Sequence, residues 1–185
     1  MQTEFTKTIK QKIPALLVGV CTLLLTQITH ADEPSARQQA LTELTEEIRR
    51  DHPRIPHLDI EEVRAQGDNI VFIDVREPRE YAVSHIPGAI HINDRDSLLS
   101  FAQEHSDTKL VLYCSVGRRS AELTDYLHEQ GALQAVNFVG SIFAWGNQNL
   151  PLKNEDGPTK FVHPYNWFWG WQYLDAELHA NKPVK

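Results

Sequence analysis

The sequence predicts an α/β domain with a mostly parallel central sheet and helices on both faces. Three observations predict it. The runs "NIVFIDV" and "KLVLYC" are continuously apolar and β-branched, as in strands buried on both faces of a parallel sheet. Helical patterns alternate with such runs along the chain. Pro53, Pro56, Gly67 and Gly131 punctuate the alternation.

The chain has 185 residues, and residues 1–31 read as a cleavable export signal outside the fold. Lys7, Lys10 and Lys12 precede the apolar run "IPALLVGVCTLLLTQIT", and Thr29 and Ala31 are small residues suited to a cut after Ala31. The run is shorter than the ~20 residues that span a bilayer, so a retained anchor is the weaker reading and no stable membrane insertion is expected after cleavage. A lipoprotein cut at Cys21 is disfavoured, because Val20 precedes it and the apolar run continues past it. Export to the periplasm or beyond follows as the expected location.

In residues 32–53 the apolar positions Ala36, Ala40, Leu41, Leu44 and Ile48 repeat at helical spacing, which predicts an amphipathic packing arm. The domain proper is expected over 54–152. "LDIEEVRAQG" predicts a helix with Asp59 as N-cap and Gly67 as its stop. The strand "NIVFIDV" follows, then the short helix "EPREYAVSH" with Pro78 in its first turn. Next come the strand "GAIHI", the helix "DSLLSFAQEH", the strand "KLVLYC" and the helix "SAELTDYLHEQG". The strand "AVNFV" and the helix "SIFAWGNQ" close the pattern. Residues 153–185 read as a polar linker and a tail. The tail sets Phe161, Tyr165, Trp167, Phe168, Trp169, Trp171 and Tyr173 close together. Docking of these aromatics back onto the domain is favoured over an open partner surface, since an exposed cluster of that size invites aggregation.

Composition narrows the function. Hydrophobic residues make up 41% and charged residues 23%, ordinary values for a globular protein. The net charge is −7, and loss of three lysines and one glutamate with residues 1–31 takes it to −9. That balance argues against nucleic acid as a partner, because phosphate binding needs a basic face. The nine histidines include no i, i+4 pair, which disfavours a helical metal site. His85 and His91 read as structural. Neither a Cys-x-x-Cys pair nor a glycine-rich nucleotide loop is present, and no cofactor is implied.

Cutting after Ala31 removes Cys21 and leaves Cys114 as the only cysteine. A lone thiol in an exported chain cannot form an internal disulfide. Cys114 stands at the carboxyl end of a predicted central strand, where open α/β sheets bind ligands. The helix that follows has unpaired N–H groups at its start, and a loop curled around the thiol adds more. Gly117 permits the tight curl. Arg118 and Arg119 add positive charge. Together these features favour the nucleophilic thiolate and would also hold an oxyanion.

At these residues the chain resembles the rhodanese (thiosulfate sulfurtransferase) superfamily. "CSVGRRSA" is similar to its active-site loop, "FIDVREPREYAVSHIPGAIHI" to its first signature and "GSIFAWGNQNLPL" to its closing segment. The three lie in the family's order across about residues 56–152, and the N-terminal helix and aromatic tail fall outside them. The resemblance implies that Cys114 takes sulfane sulfur from thiosulfate or a similar small sulfur-containing anion, forming a persulfide and releasing sulfite. A thiol, cyanide or a protein acceptor would then collect the sulfur. It further implies that backbone N–H groups from Ser115, Val116, Gly117, Arg118, Arg119 and Ser120 stabilise the persulfide. Arg118 or Arg119 would hold the donor, and Asp74 and Arg76 would brace the loop. Two alternatives stand beside this enzyme reading. One is a sulfur-carrier or sensing module that hands sulfur to a partner protein. The other, weaker, is a cysteine phosphatase. Phosphatases of related fold use a longer loop, whereas four residues separate Cys114 from Arg119 here, and Tyr113 precedes the cysteine.

Overall fold

The computed structural model describes residues 35–67 and 69–184. The expected export signal lies outside the described residues.

Five strands form one parallel sheet: β1 (His57–Leu58), β2 (Ile70–Asp74), β3 (Ile90–His91), β4 (Lys109–Tyr113) and β5 (Ala135–Phe138), in the order β1-β5-β4-β2-β3. Seven α-helices are described: α1 (Ala36–Asp51), α2 (Ile60–Ala65), α3 (Pro78–Val83), α4 (Arg95–Glu104), α5 (Arg118–Glu129), α6 (Ser141–Asn147) and α7 (Trp167–Tyr173). None of the described helices is long and apolar enough to cross a membrane.

The α/β class and the parallel sheet are as the sequence predicts. Apolar residues of β4 alternate between two cores, as a strand's period of two requires. Val111 and Tyr113 join Val136 and Phe138 under α1, α2, α6 and α7, against Leu41, Leu44, Ile48, Val63, Ile142 and Leu174. Leu110 and Leu112 face the opposite way, with Ile73 and Ala135, against Leu98 and Ala102 of α4 and Leu127 of α5. The register pairs Asp74 with Tyr113, so the ends of β2 and β4 are level and Cys114 lies one residue beyond that edge.

The helix starts follow from local chemistry. The Ser35 hydroxyl accepts the Gln38 N–H at the head of α1. Asp59 and Glu62 exchange reciprocal side-chain to backbone bonds of 2.9 and 2.8 Å around α2, a capping box. Pro78 occupies the first turn of α3, where its missing N–H costs nothing.

Three features differ from the sequence expectation. Residues within "DHPRIPH", read only as a helix break, contribute His57 to β1, because the β5 amide of Asn137 bonds to the Pro56 carbonyl at 3.0 Å. That pairing is long-range, and two residues carry no periodicity that reveals it. Within residues 153–160, expected as a linker, the chain forms most of a hairpin of β6 (Leu152–Asn154) and β7 (Gly157–Thr159). Leu152 and Asn154 of that hairpin are buried, and Lys153 bridges to His85. The tail docks by one face only. Val162, Tyr173, Leu174 and Leu178 enter the core, while Trp167, Phe168 and Trp171 remain 78%, 53% and 58% exposed. A helix of alternating aromatics turns its rings to both sides, so its composition alone does not tell which face is covered.

Candidate active site

The Cys114 loop is held from outside by its carbonyls. Val116 O accepts the Gly140 N–H at 2.9 Å, Ser115 O accepts Phe143 N–H at 3.1 Å, and Cys114 O accepts Ile142 N–H at 3.3 Å. All three donors belong to the turn into α6 and its first residues. Carbonyls committed outward leave the loop's N–H groups to face inward. The Cys114 N–H donates to Ser141 Oγ at 3.1 Å, and Ser141 Oγ donates to Phe138 O at 2.7 Å. Ser141 is buried and has a φ of 48°, a left-handed conformation uncommon for a residue with a side chain.

Cys114 is 1% exposed. Its Sγ accepts the Gly117 N–H at 3.2 Å. Burial opposes the thiolate, but the Arg119 charge and the N–H groups of Ser120, Gly117 and Val116 outweigh it, so the thiol is held below its ordinary value. Gly117 ends the curl with φ 109° and caps α5. A Cβ there would sit 3.0 Å from Val139 Cα and 3.1 Å from Phe138 O, both backbone atoms. Gly117→Ala is therefore expected to lower stability by about 1–3 kcal/mol. Urea unfolding checks the loss, and slower alkylation of Cys114 at neutral pH checks the distorted ring.

The two arginines have different roles in the structure. Arg119 makes two 2.9 Å bonds to the carboxylate of Glu80 and a 3.1 Å bond to Ser115 Oγ. Ser115 Oγ also donates to Glu80 at 3.1 Å. Burial raises the Glu80 carboxyl, but the Arg119 hydrogen bonds and charge outweigh it and hold it below the usual range. Arg118 instead reaches α1, bonding Glu47 at 2.7 Å and Asp51 at 3.1 Å. The N-terminal helix, expected as a packing arm, therefore also fixes a side chain of the cysteine loop.

The other expected residues are placed as follows. The Ser120 hydroxyl donates to Asn137 Oδ1 at 2.7 Å, away from the sulfur, and only its amide serves the ring. Val116 is buried in the core on the α6 side of the sheet. Asp74 and Arg76 are fully buried and paired through bonds of 2.6 to 3.2 Å. Arg76 Nη2 also donates to Ser84 O at 2.6 Å, which ties the end of β2 to the end of α3. His91 Nε2 lies 2.7 Å from the Arg76 carbonyl, and His85 stacks on Tyr81.

Four contributors were not found by sequence reasoning. Glu80 lies in a short helix and Ser141 at a helix start, and neither carries a signal in the local sequence. Tyr165 and Trp169 lay within the noted aromatic cluster, but only the fold brings them to the thiol. With Cys114, Ser115, Arg119 and Glu122 they line a pocket of about 120 Å³. The Tyr165 ring lies 4.8 Å from the Arg119 guanidinium. No group of three or more histidine, cysteine or acidic side chains suited to a metal occurs among the described residues.

A buried cysteine set in a curl of amides at the carboxyl end of a parallel strand is a site suited to a nucleophilic cysteine. Residues 59–148 match the rhodanese-like domain family. A sulfurtransferase of Allochromatium vinosum is 30% identical over 93 residues, which cover 50% of this chain and 87% of the relative. The probable adenylyltransferase/sulfurtransferase MoeZ of Mycobacterium tuberculosis is 38% identical over 90 residues, covering 46% of this chain and 22% of that protein. The crystal structure of a thiosulfate sulfurtransferase from Pseudomonas aeruginosa superposes with a TM-score of 0.51 at 25% identity, covering 62% of this chain and 23% of that one. The chain belongs to the rhodanese superfamily, and its relatives support a rhodanese-type transferase acting in sulfur transfer.

Proposed function

We propose that the protein moves sulfane sulfur through a persulfide on Cys114. The observation that carries this is the amide ring around Sγ, closed by the short span from Cys114 to Arg119 and held open by outward carbonyls. In the first step the thiolate attacks the outer sulfur of thiosulfate or a similar donor. A new S–S bond forms, the donor's S–S bond breaks, and its electron pair leaves with sulfite. The ring then holds the terminal persulfide anion, with the N–H donors fixed before reaction. In the second step cyanide or a thiolate takes that sulfur and Cys114 returns as thiolate. Asp74 and Arg76 act at a distance, bracing the strand end.

A partner protein as acceptor is a second reading, favoured by the exposed side chains of Trp167, Phe168 and Trp171, which flank the pocket-lining Trp169 in α7. The reading also takes the chain to be exported, supported by the basic, apolar and small-residue order of residues 1–31. Incubation with thiosulfate and intact-mass measurement tests the chemistry. The expected result is a gain of one sulfur atom with release of sulfite, removed by cyanide as thiocyanate. A chain whose mass stays unchanged with thiosulfate and with an organic thiosulfonate, while Cys114 remains alkylatable, overturns it.

A further inference from the structure

The Cys114 pocket has a roof that the family match does not supply. The matched region ends at residue 148, whereas Tyr165 and Trp169 come from the segment beyond it. The roof is built in place. The Tyr165 N–H donates to the buried His163 Nδ1 at 3.0 Å, and Tyr165 holds a left-handed φ of 64°. Asn166 caps α7 through a 3.0 Å bond from the Trp169 N–H. The Trp169 ring leans on Tyr173, which is buried, and meets Tyr165 nearly edge-on at 6.4 Å. Gly170 lets α7 approach the preceding turn, since a Cβ there would lie 2.3 Å from Pro164 Cβ.

The charge around this pocket is the second observation. Both arginines that could hold an anion are already matched by carboxylates, Arg119 by Glu80 and Arg118 by Glu47 and Asp51. Glu122 adds another carboxylate to the lining. The amide ring accommodates the single charge of the thiolate or persulfide, and among the described residues no unmatched cation lines the pocket to take a compact dianion. An apolar body would instead displace water from two aromatic rings.

We propose that Tyr165 and Trp169 form a specificity wall that selects sulfur donors with an apolar body and one negative charge over the dianion thiosulfate. This inference rests on sulfur transfer through Cys114. The probe is benzenethiosulfonate, which offers the same chemistry. The Cys114 thiolate bonds its terminal sulfur, the S–S bond breaks, and benzenesulfinate leaves with the electron pair.

The test compares persulfide loading by benzenethiosulfonate and thiosulfate in the full chain and two variants. Tyr165→Asn tolerates the left-handed backbone, and Trp169→Leu keeps an apolar contact with Tyr173. The native chain is expected to load from benzenethiosulfonate with a kcat/KM about tenfold higher, and each variant to reduce that ratio by about tenfold. Should a variant fail to fold, the native chain still decides. Benzenesulfinate is expected to protect Cys114 from iodoacetamide at concentrations where sulfite does not. Equal preference, equal protection, or an unchanged ratio in folded variants overturns the wall and leaves sulfur transfer standing. Loading from neither donor overturns both.

Discussion

Cys114→Ser is expected to lose sulfur transfer altogether while keeping the fold. The serine hydroxyl is a poor nucleophile at neutral pH because its proton is held far more tightly than a thiol's, and the ring cannot ionise it. It also cannot form a stable bond to sulfane sulfur that a thiolate acceptor reverses. The rate of thiosulfate consumption should fall by about a thousandfold or more, as for other nucleophile deletions. Stability should change little, since oxygen occupies less space than sulfur and can accept from the same Gly117 N–H. Intact mass after thiosulfate should show no added sulfur. Normal activity in this variant would exclude a Cys114 persulfide.

Arg119→Met should disturb both reactivity and stability. In the native protein Arg119 is the strongest influence favouring the Cys114 thiolate against burial. Its loss raises the thiol toward the ordinary value of about 8.5, so the pH midpoint of alkylation moves upward and thiolate at neutral pH becomes scarce. The same substitution leaves Glu80 fully buried without its bidentate partner. Because the Arg119 side chain is 29% exposed, the loss is expected at about 3 kcal/mol, the lower end for removing one member of a buried pair.

The contribution of Glu80 to the pH dependence of stability should then change sign. In the native protein the Glu80 carboxyl lies below its ordinary value. Its contribution is therefore present above the unfolded value and lost as pH falls through the folded one. Without Arg119, burial dominates and the carboxyl moves above its ordinary value. Folding then binds a proton, and the variant should gain stability on going from pH 7 toward pH 5. Urea midpoints at the two pH values check the inversion, and Glu80→Gln in the same background should remove it. A variant whose stability does not rise over that interval would show that Glu80 is not held by Arg119.

The main elements of the fold were legible because each leaves a local pattern. β2 and β4 are continuous apolar runs, and the helix between Arg118 and Glu129 has an apolar stripe and a glycine stop. The edge strand β1 was not legible, since its two residues are extended only through bonds to β5. The hairpin after Leu152 was hidden by a polar, glycine- and proline-containing sequence that serves a turn as well as a linker. Within the site, the strand-end cysteine and the glycine-arginine loop announced themselves by spacing. The partition of the two arginines did not, because adjacent helical side chains point about 100° apart and meet different neighbours.

By itself the sequence determined the class of sheet, the position of the thiol at a strand's end and the length of the loop around it. These depend on residues close together in the chain, where periodicity, glycine and helix-start chemistry act directly. Only the tertiary structure decided that Arg119 is matched by Glu80, that α1 captures Arg118, and that Tyr165 and Trp169 roof the pocket. Those contacts join residues about 40 to 70 positions apart in the chain. They form when two separate apolar faces pack on one sheet, and no local pattern records which distant side chains that packing brings together.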